Sequence, residues 1–160
     1  MGAKVLGPTD GKLGDLGSLG VRFMIGSEES GGGFALVEHP MAPRGLAAPM
    51  HRHSREDEYS FVLEGCVGAQ LGDEVVFGEV GDLIFKPRGQ WHTFWNAGDE
   101  PARILEIISP AGFERFFDEL TEPETPDRPR STLPERYGIE FDPDSIPGLI
   151  ERHGLRFGPD

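Results

Sequence analysis

Two histidines separated by one residue, His51 and His53, are the side chains of this sequence best placed to bind a metal ion. In a β-strand, residues two apart point to the same face, about 6.6 Å apart along the strand, so both imidazoles can reach one ion. Glu58 follows a polar bend and can return on the next strand. Two neutral imidazoles and a carboxylate suit a divalent transition metal. Taken alone the pair is a weak signal, because two surface histidines beside an acidic run look the same.

A second stretch, residues 81–96, supplies a third histidine, His92. Together the two stretches resemble the two sequence motifs of the cupin superfamily, in residue type and in spacing. The matching positions are Gly45, His51, His53, Glu58 and Gly65 in the first motif, and Gly81, Pro87, Gly89, His92 and Asn96 in the second. The resemblance implies one bound divalent ion, for which iron, manganese, nickel, cobalt, copper and zinc are all suitable. The implied metal ligands are His51, His53, Glu58 and His92.

The elements that must position these ligands are short strands. Apolar and polar residues alternate in segments separated by Gly, Pro, Asn and Asp, which predicts an antiparallel sandwich or small barrel. The resemblance sharpens this all-β class to a double-stranded β-helix, or jelly roll. Besides the His51–His53 segment, strands are expected at residues 19–25, 34–38, 59–63, 66–71, 74–77, 83–86, 91–95 and 102–108.

The chain is predicted to have three parts. Residues 1–18 are glycine-rich and are expected to form a flexible arm, residues 19–109 the cupin barrel, and residues 110–160 a C-terminal helical extension. In the arm, Val5 and Leu6 are the candidates for an added edge strand. The proline of the His39-Pro40 pair is expected to end the second strand, since it donates no ladder hydrogen bond.

An apolar stripe predicts the first helix of the extension. Its members recur at helical spacing and are Phe113, Phe116, Phe117 and Leu120. Ser109 is the expected cap, and the helix is expected to pack on the barrel wall, with a pocket role considered for Phe113 only. A linker is predicted over residues 121–134, and a last short helix over residues 143–153, ending at Gly154.

Strand alternation also predicts a substrate pocket next to the ligands. Phe94 shares a face with His92, Ser60 and Val62 share a face with Glu58, and Phe23 is expected near the barrel mouth. The predicted pocket residues are therefore Phe23, Ser60, Val62 and Phe94, although small barrels also fill their interiors with such side chains. His39 and His153 lie outside both motifs and are predicted not to bind metal.

Composition and charge limit the kinds of partner and the cellular location that we expect for this chain. A net charge of −13 argues against a surface for nucleic acid, and no apolar run approaches membrane-spanning length. The start of the chain lacks the hydrophobic core of a secretion signal, and the single cysteine, Cys66, cannot form an internal disulfide. We expect a cytoplasmic protein that binds a small molecule and pairs with a second copy as a homodimer.

Three functions stay open at this point. The resemblance to small quercetin-dioxygenase-like cupins implies a metal-dependent dioxygenase acting on a small aromatic or chelating substrate, with Glu58 also acting as a catalytic base. The second alternative is a metal-dependent isomerase, lyase or decarboxylase without oxygen chemistry. The third is a non-catalytic small-molecule binding module with a structural metal, since one fold hosts many chemistries.

Overall fold

Two antiparallel sheets make up most of the molecule. The computed structural model describes residues 3–159, and the eleven strands found there are divided between a six-stranded and a five-stranded sheet. The strands are β1 Leu13–Asp15, β2 Gly20–Ile25, β3 Ala35–Met41, β4 Met50–His53, β5 Asp57–Glu64, β6 Val67–Leu71, β7 Glu74–Gly78, β8 Leu83–Lys86, β9 His92–Asn96, β10 Ala102–Ser109 and β11 Ile139–Asp142. The first sheet has the order β1-β2-β3-β10-β5-β8 and the second β11-β4-β9-β6-β7. The predicted jelly roll is confirmed, as two facing sheets rather than one closed barrel.

The main core lies between the sheets. Along β10 every second residue is buried, so one face of the strand packs inward and the other faces out. Buried apolar side chains from both sheets meet in this core, including Met41, Val62, Ala69, Phe94 and Ile104. The sheets are therefore held together by apolar contact, and the polar residues that project between them are exceptions.

Four short α-helices and two 3₁₀ helices, Arg130–Thr132 and Pro143–Ser145, make up the rest of the described elements. The α-helices, in chain order, are α1 Ser27–Ser30, α2 Glu114–Thr121, α3 Leu133–Tyr137 and α4 Ile146–His153. The helix expected after Ser109 begins only at Glu114, because Gly112 has a φ of 129°, which a helix does not allow. Helix α4 ends at Gly154 in the left-handed conformation, as predicted.

Part of the predicted N-terminal arm forms a strand. Residues 1 and 2 lie outside the described range, but β1 pairs with β2 through Leu13 opposite Arg22. The edge strand is thus formed by residues 13–15, while Val5 and Leu6 lie outside the strands. The strand predicted at residues 34–38 is β3, and it continues to Met41. Pro40 removes only one hydrogen-bond donor, and its neighbours keep their pairing with β10.

The C-terminal extension is more than an appended helical segment. Strand β11 pairs with β4, with Phe141 opposite His51 and Ile139 opposite His53. The histidine-bearing strand is therefore covered on one edge by residues about 90 positions later in the chain. The predicted linker contains part of α3, which is followed directly by β11.

Candidate metal centre

Four side chains converge between the two sheets. His51 and His53 project from β4, and His92 projects from β9 directly opposite His51 in the ladder. Glu58 comes from β5 of the facing sheet. One potential ligand atom from each of the four residues lies within 4.8 Å of the other three. The four predicted ligands thus form one buried cluster, with three imidazoles on one sheet and the carboxylate on the other.

Backbone carbonyls orient two of the three imidazoles. The Nδ1 atom of His51 lies 2.9 Å from the carbonyl oxygen of Pro49, and that of His92 lies 3.0 Å from the carbonyl of Gln90. A carbonyl only accepts, so the Nδ1 of His51 carries the proton and its Nε2 keeps its lone pair. The Nε2 of His92 faces a second acceptor, Glu58 Oε2 at 3.2 Å, in addition to the Gln90 carbonyl on its other side. His53 is 1% exposed, yet neither of its ring nitrogens has a hydrogen-bond partner among residues 3–159. An ion in the cluster would satisfy one of these two nitrogens, Nε2, which faces Glu58.

Protonation states also suit an ion. Burial lowers the pKa of His51 and His92, so both rings are neutral at pH 7. Burial alone would raise the pKa of the Glu58 carboxyl, but His53 and Lys86 outweigh it and hold that pKa well below its usual range. For His53, burial is outweighed by the Glu58 carboxylate, and its pKa is raised. His53 is therefore the most readily protonated of the three rings, and a proton on it competes with a metal ion.

Glu58 is itself positioned by a buried polar group, the Lys86 network, which consists of Glu58, Lys86, Glu106 and Ser60. Lys86 on β8 lies opposite Glu58 on β5, with its Nζ 3.4 Å from Glu58 Oε2 and 2.7 Å from Glu106 Oε1. Ser60 donates a hydrogen bond of 2.5 Å to the other oxygen of Glu106. The network places two carboxylates and one ammonium between the sheets.

Glu56, the neighbour with which the Glu58 ligand could be confused in the sequence, occupies a different place. Its carboxylate lies on the Nδ1 side of His53, at 3.8 Å, away from the ring nitrogen that faces Glu58. It is 5% exposed and stands outside the four-residue cluster. Its position behind a ligand, rather than among the ligands, is typical of a carboxylate that orients an imidazole.

A large apolar cavity opens onto the cluster. It has a volume of about 650 Å³ and reaches His51, His53 and Glu58. Aromatic side chains from β9, α2, β11 and the chain end dominate its wall, and they are Phe94, Phe113, Phe116, Phe117, Phe141 and Phe157. Most of these residues belong to the C-terminal extension, which therefore builds the cavity as well as covering the sheet.

The four predicted pocket residues lie in different places relative to the cavity. Phe94 lines the cavity, whereas Phe23, Ser60 and Val62 are absent from its wall. Val62 is fully buried in the core, and Ser60 contacts Glu106, which does line the cavity. The residues that sequence reasoning missed are those of α2 beyond Phe113, whose apolar stripe was assigned to wall packing only.

His39 is another cavity-lining residue that the sequence analysis did not place in the pocket. It stands outside the four-residue cluster. Its place on the inner face of β3 follows from strand alternation, a signal that the sequence contained. His153 packs instead against Trp95 near α4, with ring centroids 4.3 Å apart.

Comparison with known proteins agrees with this architecture. A family model described as the cupin domain matches residues 38–108. TcmJ of Streptomyces glaucescens, a tetracenomycin polyketide synthase protein, is 36% identical over 70 residues, which cover 44% of this chain and 46% of TcmJ. The match thus spans less than half of either protein.

Two solved structures share the fold. The polyketide cyclase RemF from Streptomyces resistomycificus is 29% identical, with a TM-score of 0.57 over 67% of this chain and 79% of that one. A predicted oxalate decarboxylase from Thermotoga maritima is 20% identical, with a TM-score of 0.51 over 57% of this chain and 80% of that one. At this identity the second likeness concerns the fold alone.

The two facing sheets and the buried cluster of three histidines and one glutamate define a jelly-roll protein with a candidate metal site. Residues 38–108 match the cupin-domain model and contain both sequence motifs. Among residues 3–159, no helix is both long and apolar enough to cross a lipid bilayer.

Proposed function

We propose that this cupin-domain protein is a metal-dependent enzyme that binds an extended aromatic molecule of the polyketide type and promotes a non-redox ring closure or isomerisation. The observation that carries the proposal is the phenylalanine-lined cavity that ends at three of the four candidate metal ligands. An apolar cleft with a few convergent polar groups suits a flat organic ligand. The likeness to TcmJ and to the polyketide cyclase RemF supports the substrate class.

Each part of the site has a task in this proposal. His51, His53, Glu58 and His92 would hold a divalent ion, which supplies Lewis-acid polarisation of a carbonyl when bound. The phenyl rings of α2 orient the aromatic ligand and exclude water from the ligand cluster. Glu58 lines the cavity and stays ionised, so its carboxylate can accept a proton from a bound ligand. It is the candidate catalytic residue.

Dioxygenation, the function that the sequence resemblance implied, is the alternative. The same ligands suit redox metals, because three imidazoles and a carboxylate do not select among iron, manganese, nickel, cobalt, copper and zinc. The non-redox class is preferred because RemF, at 29% identity, is named as a polyketide cyclase. Identifying the native metal would narrow the choice between dioxygenation and non-redox chemistry, and measuring oxygen consumption would complete it.

The experiment has two stages. Elemental analysis of the untagged protein first gives the metal bound per chain, for wild type and for His92→Ala, with His153→Ala as a matched control outside the cluster. The metal-loaded protein is then incubated with a synthetic aryl poly-β-ketone, while an oxygen electrode and mass spectrometry follow the reaction. Cyclised product that has lost water, without oxygen uptake, is expected. Oxygen uptake in step with substrate loss would favour the dioxygenase, and metal binding without turnover would favour a binding module.

The homodimer and the cytoplasmic location are further proposals. Three apolar side chains on the outer face of β5 and β8, Phe61, Leu83 and Phe85, are 37%, 55% and 48% exposed. Strand β8 is also the edge of its sheet. A second copy of the chain would bury this apolar edge, which is costly to leave in water. A monomer in light scattering would contradict the dimer.

A further inference from the structure

A histidine that belongs to neither motif faces the cavity. His39 on β3 is 1% exposed and lines the cavity wall. Its ring packs against Phe117, with centroids 5.0 Å apart, and lies 6.2 Å from the ring of Phe94. It therefore stands among the aromatic rings that would hold a ligand, outside the cluster of candidate metal ligands.

One side of the His39 ring is already committed. Its Nδ1 atom lies 2.8 Å from the carbonyl oxygen of Gly20, and because a carbonyl only accepts, Nδ1 carries the proton. The other nitrogen, Nε2, is then an acceptor, and no hydrogen bond to it is formed by any residue between 3 and 159. Burial lowers the pKa of this imidazole to about 4, so the ring is neutral at pH 7. Because Nδ1 is occupied, Nε2 is the ring atom that can accept a hydrogen bond from a group bound in the cavity.

We propose that His39 is a specificity-determining residue whose Nε2 accepts a hydrogen bond from a hydroxyl group of the bound ligand. The ligand is then a hydroxylated aromatic, a phenol or an enol, rather than a bare aromatic hydrocarbon. This inference rests on the proposed function, since it assumes that the phenylalanine-lined cavity binds an aromatic molecule. A site built to pair a ligand hydroxyl discriminates strongly against an analogue that lacks it.

The test uses two probes of nearly equal size, 2-hydroxyanthraquinone and 2-methylanthraquinone. Neither carries adjacent oxygens at the substituted position, so the comparison reports the hydroxyl rather than chelation. Equilibrium dialysis against the purified protein at about pH 6 keeps the phenol protonated and His39 neutral. Wild type should bind the hydroxy probe about ten-fold more tightly than the methyl probe, in line with one buried hydrogen bond.

The variant His39→Phe keeps a ring in place but removes the acceptor. This variant should bind the hydroxy probe more weakly than wild type does and the methyl probe equally well, so the preference for the hydroxyl should be lost. His39→Gln retains an acceptor and should restore part of the preference. His153→Phe, a change of the same kind beside Trp95 and outside the cavity, should behave as wild type.

The outcomes separate this inference from the proposed function. A hydroxyl preference that persists in His39→Phe, or that is absent in wild type while both probes bind, would overturn the role of His39 and leave the aromatic cavity intact. If neither probe binds wild type, the aromatic-ligand proposal fails and the inference fails with it. If His39→Phe does not fold, the wild-type preference and the His39→Gln variant still decide.

Discussion

Lys86 offers the sharpest test of the interior, because its ammonium is buried between two carboxylates. Its side chain is 0% exposed, with Nζ 2.7 Å from Glu106 and 3.4 Å from Glu58. Burial would lower the pKa of Lys86, but both carboxylates outweigh that effect and raise it, so the residue stays charged. Lys86→Met would leave two buried carboxylates facing each other without a cation. Breaking a buried pair from one side costs about 3–5 kcal/mol of unfolding free energy.

A double-mutant cycle isolates the pair. Removing both charges in Lys86→Met/Glu106→Gln should recover most of the loss, because replacing a whole buried pair is often close to neutral. The coupling energy should reach about 2–3 kcal/mol, the upper range for residues in contact. Urea denaturation of the metal-free variants at neutral pH, followed by circular dichroism, measures all four corners of the cycle.

A matched control exists on the surface. Lys12 also contacts two carboxylates, at 2.6 Å from Asp118 and 2.7 Å from Glu122, but its side chain is 51% exposed. Lys12→Met should change the unfolding free energy little, since water screens such pairs. A Lys86→Met variant as stable as wild type, or a cycle without coupling, would refute the account of the buried network.

Further predictions concern the ligands and the buried histidine. His51→Ala and His92→Ala should lose most bound metal in elemental analysis while their circular dichroism stays that of a folded protein, because the apolar core does not depend on the ion; unfolding would instead indicate a structural metal. Glu58→Gln should weaken metal binding less than either histidine change but more than Glu56→Gln, and the reverse order in a metal titration would mean that the carboxylate ligand is misassigned. His39 has a pKa of about 4 when folded against 6.5 as the ordinary value, so the unfolded state binds more protons between these pH values and stability falls as pH drops. The difference of 2.5 corresponds to roughly 3 kcal/mol, and His39→Gln should show a shallower loss of unfolding free energy between about pH 7 and 4 than wild type does.

Local pattern accounts for what the sequence predicted well. Alternation of apolar and polar residues located strands such as 83–86 and 102–108, because a strand exposes alternate residues to core and solvent whatever its neighbours are. The spacing of the two motifs selected the four residues that the fold brings within 4.8 Å of one another. Turn glycines such as Gly154 marked helix ends for an equally local reason, their access to positive φ.

Local sequence patterns could not predict which distant segments pair in the fold. Nothing in residues 139–142 indicates that they form a strand beside His51 and His53, since the edge that β11 covers exists only after the sheets assemble. The pocket role of Phe116 and Phe117 likewise depends on where α2 docks, not on its apolar stripe, which suits wall packing equally well.

The sequence by itself determined the all-β class, because strand alternation is a local pattern. The resemblance of its two motifs to the cupin superfamily supplied the jelly roll and the candidate ligands. Only the tertiary structure decided which polar groups surround them. Lys86, Glu106 and His39 look like ordinary strand residues until sheet order places the first two around Glu58 and turns the third toward the cavity. Their charge and hydrogen-bonding states depend on burial and on partners far away in the chain, which only the folded protein establishes.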